Sequence, residues 1–365
     1  MTERNVVWFV AAGTGGHIFP GLSIAKHLRD IDTDIQITFF GTEDRLEATL
    51  IPQNNEKVEF VRAGRWKGRG IVGKLKGLWG LFAGFLEFFI GSFKRKRADL
   101  LVSIGGYVAL PIALVCWFRG IDVVLVEPNL RAGLANKLVS RWAKFAIANK
   151  GSDSREVLHC RVFETGTPIR RGFKEHIVQR EVKTILVLGG SQGAKPLNDA
   201  MLAIACDCPA LKDVQFIVQA GKAHFETLED EVRKSGLDKK VQVLEFIDDM
   251  AKFLTQIDLV VSRAGASTVT ELAAVGMPTI FVPYPYAADN HQMVNAQMIA
   301  DAGGAKVVDQ LGDNMAENLD SACSELVHGL EGFEKRSFMS RSMKKWSNPN
   351  VLEDFVRLLD GEDEV

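Results

Sequence analysis

Three short glycine-rich segments carry the first chemical signal in this sequence: Gly13-Thr14-Gly15-Gly16-His17, Ser103-Ile104-Gly105-Gly106-Tyr107 and Gly189-Gly190-Ser191-Gln192-Gly193. Each follows an apolar run and reads as a strand turning into a helix. Glycine lets the backbone approach a ligand closely and aims several N–H groups at one point. The next helix adds its N-terminal dipole, and phosphate is the ligand this geometry suits. A single such turn reads more readily as a plain strand–helix connection; three at equivalent sheet ends favour a site. The dinucleotide fingerprint G-x-G-x-x-G fails, because Ile18 stands where the third glycine belongs, and there is no Walker A sequence.

His17 follows the first turn directly. At the mouth of a cleft it could act as a general base near neutral pH; the plain alternative is a helix-terminal histidine bonded to backbone. A second cluster runs Ser262-Arg263-Ala264-Gly265-Ala266-Ser267-Thr268-Val269-Thr270-Glu271. Glu271 either completes a capping box with Thr268 or accepts from the two hydroxyls of a ribose. Downstream, Pro283-Tyr284-Pro285-Tyr286-Ala287-Ala288-Asp289-Asn290-His291-Gln292 is a loop rich in hydrogen-bonding groups that suit a sugar. Asp30-Ile31-Asp32-Thr33-Asp34 contains D-x-D matches of the kind metal-dependent transferases use. It falls between a helix and the next strand, at the opposite end of the sheet from the glycine turns, so it reads as solvated loop. No metal ligand and no cofactor are expected.

The elements that must hold these residues alternate in a regular way. Apolar runs fall at 5–12, 35–40, 57–62, 100–104, 122–126 and 144–148, then at 184–189, 214–218, 241–246, 257–261, 279–283 and 305–308. Helical patterns fall at 20–30, 71–93, 108–119, 131–141, 193–206, 222–235, 267–275, 289–302 and 313–329, with a last helix over Val351 to Leu359. Continuous β-branched runs alternating with helices mean parallel sheets covered on both faces. The fold class is therefore α/β, with two doubly wound, Rossmann-like domains facing a central cleft. The join falls near Glu164-Thr165-Gly166-Thr167-Pro168, giving domains 1–165 and 166–345; the segment 346–365 is expected to pack back on the first.

The 365 residues are 47% apolar and 25% charged, with a net charge of −2. That excludes disorder as the main description, and a pI of 6.4 argues against a nucleic-acid-binding surface. Five cysteines without a C-x-x-C read as reduced thiols in a cytosolic protein. The apolar run Val6–Ala12 is short and follows an acidic residue, so it reads as a buried strand and not a secretory signal. The stretch Gly77–Phe93 is short for a membrane span and carries Glu87, which argues against a transmembrane helix. From Arg62 to Arg97, however, ten basic residues stand against one acid, among Trp66, Trp79 and five phenylalanines. Part of this segment is core. The rest reads as an interfacial patch docking on anionic lipid, with Leu78, Trp79, Phe82, Lys94 and Arg95 as its contacts.

The set GTGGH-x-x-P-G at 13–21, GGY at 105–107, GGSQGA at 189–194 and R-x-G-A-x-T-x-x-E at 263–271 resembles the MurG family of peptidoglycan N-acetylglucosaminyltransferases. Glu127-Pro128-Asn129 and Asn290-His291-Gln292 also match in place, and the resemblance spans Asn5 to about Leu359. It implies a GT-B fold and an inverting, metal-independent transfer from UDP-N-acetylglucosamine to the C4 hydroxyl of the muramoyl sugar of lipid I, giving lipid II. Carried over position by position, it implies a donor set of Thr14, Gly15, Gly16, Asn129, Arg170, Ser191, Ile247, Ala266, Ser267, Thr268, Glu271, His291 and Gln292. Within that set Glu271 would hold the ribose, Arg170 and Ser191 the diphosphate, Ile247 the uracil and Gln292 the sugar hydroxyls. It implies an acceptor set of Gly13, Thr14, His17, Gly105, Gly106, Tyr107 and Asn129, with His17 as the base. The N-terminal domain would take acceptor and membrane, and the C-terminal domain the donor. Two positions depart from the pattern: some members carry Gln where His291 and Pro128 stand. The resemblance also implies a peripheral position on the cytoplasmic face of the bacterial inner membrane, beside other cell-wall synthesis proteins. The readings that compete are another lipid glycosyltransferase, a UDP-N-acetylglucosamine 2-epimerase, and a non-catalytic UDP-sugar-binding subunit.

Overall fold

Val6–Ala11, the first strand (β1), is buried at all six positions, as expected of a strand covered by helices on both faces. The computed structural model describes residues 4–61, 83–190, 193–312 and 314–362. The chain forms two units, Met1–Arg170 with Asn350–Val365, and Arg171–Pro349. In the first, β1 is joined by β2 (Gln36–Gly41), β3 (Val58–Phe60), β4 (Leu100–Gly105), β5 (Asp122–Glu127), β6 (Phe145–Ala148) and β7 (Arg161–Phe163). Their order is β3-β2-β1-β4-β5-β6-β7, and every pairing is parallel. The crossovers are α1 (Gly15–Ile31), α2 (Glu47–Gln53), a helix over 83–92 (α3), α4 (Ala109–Phe118), α5 (Leu134–Val139) and α6 (Ser154–Val157).

The second unit repeats the plan. Strands β8 (Thr184–Leu188), β9 (Gln215–Gln219), β10 (Val241–Leu244), β11 (Leu259–Ser262), β12 (Thr279–Phe281) and β13 (Ala305–Val307) pair in parallel in the order β10-β9-β8-β11-β12-β13. They alternate with α7 (Lys195–Asp207), α8 (Phe225–Lys234), α9 (Met250–Phe253), α10 (Ala266–Val275) and α11 (His291–Asp301). Two helices close the unit, α12 (Met315–Val327) and α13 (Gly329–Trp346), and α14 (Val351–Leu359) follows. In each sheet the chain winds outward from a central strand and then reverses. The reversal falls between β1 and β4 in one sheet and between β8 and β11 in the other. The carboxyl ends of such neighbouring strands are where open α/β sheets bind ligands, and all three glycine turns sit there.

The structure differs from the sequence reading at several elements. Helix α1 begins at Gly15, so Pro20 lies inside it. Helix α13 was not expected at all. Its buried residues are Gly332, Arg336, Met339, Ser340 and Met343. Only the two methionines are large and apolar, so no apolar period shows in the sequence. The Arg336 guanidinium is satisfied inside the unit by the carbonyls of Leu326, Gln179 and Arg180. Strand β7 is a three-residue edge, too short for an alternation to register. The two units divide between Arg170 and Arg171, a little beyond the 164–168 segment, and α13 belongs to the second unit. Helix α14 belongs to the first: Phe355, Leu358 and Leu359 enter its core, the Phe355 ring meets Phe145 edge-on at 6.4 Å, and Arg4 donates to the Leu359 carbonyl.

Candidate functional site

The switch point of the first unit is built on buried carboxylates. Glu47, fully buried at the start of α2, accepts from the Gly13 N–H at 3.0 Å through Oε2, and from the Thr42 N–H and hydroxyl at 3.1 and 2.8 Å through Oε1. Of the N–H groups in this turn, that of Gly13 is therefore donated to Glu47. A carboxylate beneath the turn also disfavours an anion at that spot. The donors left to a ligand are the first-turn N–H groups of α1, at Gly15 and Gly16, which a helix leaves without intrahelical partners. His17 is half-buried on the same turn, its Nδ1 3.4 Å from the Thr14 hydroxyl.

The second turn of this unit depends on close backbone approach. A Cβ on Gly106 would lie 2.7 Å from the Ala12 carbonyl oxygen at φ +96°, so only glycine fits beside β1. Tyr107 follows it, with the Arg45 guanidinium over its ring at 5.4 Å. At the end of β5 the buried Glu127 gathers the next loop. One oxygen accepts from the Asn129 backbone and side-chain N–H groups at 3.0 and 3.2 Å, the other from Gly133 N–H and Asn136 Nδ2 at 2.9 Å each. Burial pushes its pKa up, against the pull of those four hydrogen bonds. The sequence reading assigned no role to Glu47, Glu127 or Asn136. Glu127 had one available signal, its match beside Asn129; Glu47 had none.

In the second unit, β8 runs into Gly189 and Gly190. Gly193 lies against β9 so tightly that a Cβ would stand 1.8 Å from the Ala220 carbonyl oxygen. Ser191 lies outside the described residues. Beside it, β11 leads into α10, whose N-cap is Gly265 and carries no side-chain cap. The helix thus starts before Thr268, and the capping-box alternative for Glu271 is not formed. Glu271 is instead a buried carboxyl one turn and a half into α10, below Ala266, Ser267 and Thr268. Arg263 braces the neighbouring loop. Its guanidinium donates to the carbonyls of Val282 and Pro283 and to Gln310 Oε1. Burial lowers its pKa to about 10, so it stays charged at neutral pH. At the start of α11, Gln292 Oε1 accepts from the Tyr284 N–H of that loop at 3.0 Å. His291 Nδ1 lies 2.7 Å from the Ala288 carbonyl, so Nδ1 carries a proton and Nε2 is the acceptor of the neutral ring. Ile247 is buried beyond β10. Arg170 lies in the first unit, its guanidinium 4.3 Å from the Phe19 ring centroid. Asp30 and Ile31 end α1, and Asp32–Asp34 form an Asx turn before β2, Asp32 accepting from the Asp34 N–H.

The apolar, basic segment is described only from 83 onward, so Leu78, Trp79 and Phe82 lie outside the described residues. Helix α3 buries a single narrow stripe at 84, 88 and 92, with Phe88 edge-on to Trp8 and Phe40. Leu86, Ile90 and Phe93 remain exposed, as do Trp117 and Phe118 at the end of α4. Phe118 meets Phe85 at 6.3 Å, which joins the two helices into one aromatic surface. Lys94, Lys96 and Arg97 stand exposed at its edge. Arg95 does not: it pairs with Glu59 at 2.7 Å and packs over Phe40 and Phe88, so its assignment to a lipid-facing surface is corrected. Among the described residues no helix is long and apolar enough to cross a membrane.

Two doubly wound, Rossmann-like units with glycine turns at their switch points define the GT-B fold class. The models of the glycosyltransferase family 28 N-terminal and C-terminal domains match residues 7–147 and 184–346. A UDP-N-acetylglucosamine–N-acetylmuramyl-(pentapeptide) pyrophosphoryl-undecaprenol N-acetylglucosamine transferase of Shewanella frigidimarina is 37% identical over 324 residues, 86% of each chain. A crystal structure of Acinetobacter baumannii MurG superposes with a TM-score of 0.73 at 29% identity, covering 98% of this chain and all of that one. The UDP-GlcNAc 2-epimerase of Neisseria meningitidis shares the fold alone, at 14% identity and a TM-score of 0.65 over 98% of this chain and all of that one. The chain belongs to the MurG family of N-acetylglucosaminyltransferases.

Proposed function

We propose that this chain transfers N-acetylglucosamine from UDP-N-acetylglucosamine to the C4 hydroxyl of the N-acetylmuramoyl sugar of lipid I, with inversion, at the cytoplasmic face of the membrane. The observation that carries this is the buried Glu271 on α10, beneath a helix N-terminus at the second switch point, beside the Gly189–Gly193 turn. A carboxylate there suits two ribose hydroxyls, while the turn and the dipoles of α7 and α10 suit a diphosphate. Ser191 and Arg170 are proposed diphosphate contacts, Ile247 the uracil contact, and Ala266, Ser267 and Thr268 line the nucleotide. His291 and Gln292 are proposed to meet the transferred sugar. In the first unit His17, Tyr107 and Asn129 take the acceptor.

The chemistry is a single displacement. His17 accepts the proton of the C4 hydroxyl as its oxygen bonds to the anomeric carbon. The bond from that carbon to the β-phosphate oxygen breaks, and its electron pair leaves with UDP. The diphosphate gains charge as it departs, so fixed N–H groups stabilise the transition state more than the ground state. The exposed aromatic surface of α3 and α4, with Lys94, Lys96 and Arg97 at its edge, supports docking on anionic lipid, which suits an acceptor that stays in the bilayer. The test is UDP release by the purified chain with UDP-N-acetylglucosamine and a lipid I analogue. Release only when both are present is expected. Equal release without the acceptor, or formation of the 2-epimer, would overturn the reading.

A further inference from the structure

Asn136 is 2% exposed on α5, and its amide is held in one orientation. Nδ2 donates to Glu127 Oε2 at 2.9 Å and lies 3.2 and 3.3 Å from the Ile104 and Val126 carbonyl oxygens. Turning the amide over would set its oxygen against three acceptors, so the network fixes which atom is which. The other amide atom, Oδ1, is buried and accepts no hydrogen bond among the described residues. A buried acceptor without a donor is uncommon enough to need a reason.

The position of Oδ1 supplies one. The point where a Cβ would stand on Gly105 lies 3.6 Å from Asn136 Oδ1, and 3.2 Å from both Cδ2 and Nε2 of His17. The amide oxygen and the Nε2 edge of the imidazole therefore flank the same small gap, which exists because residue 105 has no side chain. The opposite edge of the ring, Nδ1, is the one near the Thr14 hydroxyl.

We propose that Asn136 is the positioning residue of the base: a small turn of the His17 ring into the gap beside Gly105 lets Asn136 Oδ1 accept from His17 Nε2–H, and Glu127 holds the amide from behind. This rests on the reading of His17 as the base. With Nε2 protonated and bonded, the lone pair of the neutral ring is on Nδ1. Nδ1 then takes the C4 hydroxyl proton as the new glycosidic bond forms and UDP leaves. The resulting imidazolium keeps Nε2–H on the amide oxygen, which favours the charged ring and raises its pKa. The sequence Glu127 to Asn136 to His17 thus works as a carboxylate–amide–imidazole relay of orientation, with no proton passing beyond His17.

The test uses the full chain with UDP-N-acetylglucosamine and a lipid I analogue. Asn136→Ala is expected to lower kcat about 10- to 100-fold, with donor KM unchanged and the acid limb of the kcat–pH profile moved to lower pH. In a His17→Ala background the same substitution is expected to cost nothing further. An unmoved acid limb, or an equal loss in both backgrounds, would overturn the proposal. Imidazole ¹⁵N shifts of the histidine-labelled wild type, with His17 assigned by its absence in His17→Ala, test it without reliance on the Asn136 variant folding. The Nε2–H tautomer is expected, and the Nδ1–H tautomer would refute it. No turnover by the wild type would instead fail the functional reading, leaving the tautomer result to stand on its own.

Discussion

Replacing Glu47 by glutamine isolates what a buried carboxylate does for the first glycine turn. The substitution keeps size and shape, but the amide has one acceptor oxygen where the carboxylate has two. In the structure three donors converge on those oxygens: Gly13 N–H, Thr42 N–H and the Thr42 hydroxyl. If the amide oxygen faces Thr42, the amide NH2 meets the Gly13 N–H donor to donor; if it faces Gly13, it meets the Thr42 N–H. Either way one buried N–H loses its partner, at about 1–3 kcal/mol, and the surviving bonds lose their charge assistance. The expected loss is about 2–4 kcal/mol, within the roughly 5–15 kcal/mol of a typical domain, so the first unit stays folded. Urea unfolding at constant m-value measures it directly. Because His17 sits one turn from Gly13, kcat should fall while UDP affinity holds. A Glu47→Gln protein within about 0.5 kcal/mol of wild type, with undiminished kcat, would refute the reasoning, since that is the scatter of ordinary surface substitutions.

Three further outcomes follow from the geometry. Gly193→Ala sets a methyl group 1.8 Å from the Ala220 carbonyl oxygen at φ +74°, so it should abolish UDP binding by calorimetry, whereas Gly236→Ala, with nothing within 4 Å, should leave binding intact. Burial holds the His176 imidazole below its ordinary value of 6.5, Lys344 and Arg336 adding to the effect and Asp258 opposing it. The unfolded chain therefore takes up a proton as pH falls through about 6.5 and the folded one does not. The second unit should lose stability below that pH at up to about 1.4 kcal/mol per pH unit, and His176→Gln should flatten the dependence of its urea midpoint. Replacing Trp117 and Phe118 together by serine should weaken co-sedimentation with anionic vesicles while leaving activity on a water-soluble acceptor unchanged; unaltered sedimentation would exclude that surface from docking.

The two-unit plan and the placement of every glycine turn were legible in the sequence because their causes are local. A short run such as Val6–Ala11, apolar at successive positions, rich in β-branched and aromatic residues and followed by glycines, reads as a strand buried on both faces that then turns tightly. The spacing from Thr268 to Glu271 left a capping box and a ribose-binding carboxylate both open, and only the start of α10 at Ala266 removed the capping box.

What the tertiary structure alone decided is which polar groups meet. Glu47 reaches Gly13 across 34 residues, Asn136 reaches Ile104 across 32, and Arg336 reaches Gln179 across 157. Helix α13 is hard to read for the same reason, since Gly332, Arg336 and Ser340 interrupt its buried face and the Arg336 guanidinium finds its partners elsewhere in the chain. Burying an apolar side chain needs only a face to turn inward, and that is written in periodicity. Burying a charge or an amide needs a particular partner at hydrogen-bonding distance, and that partner is supplied by folding, not by neighbours in the sequence.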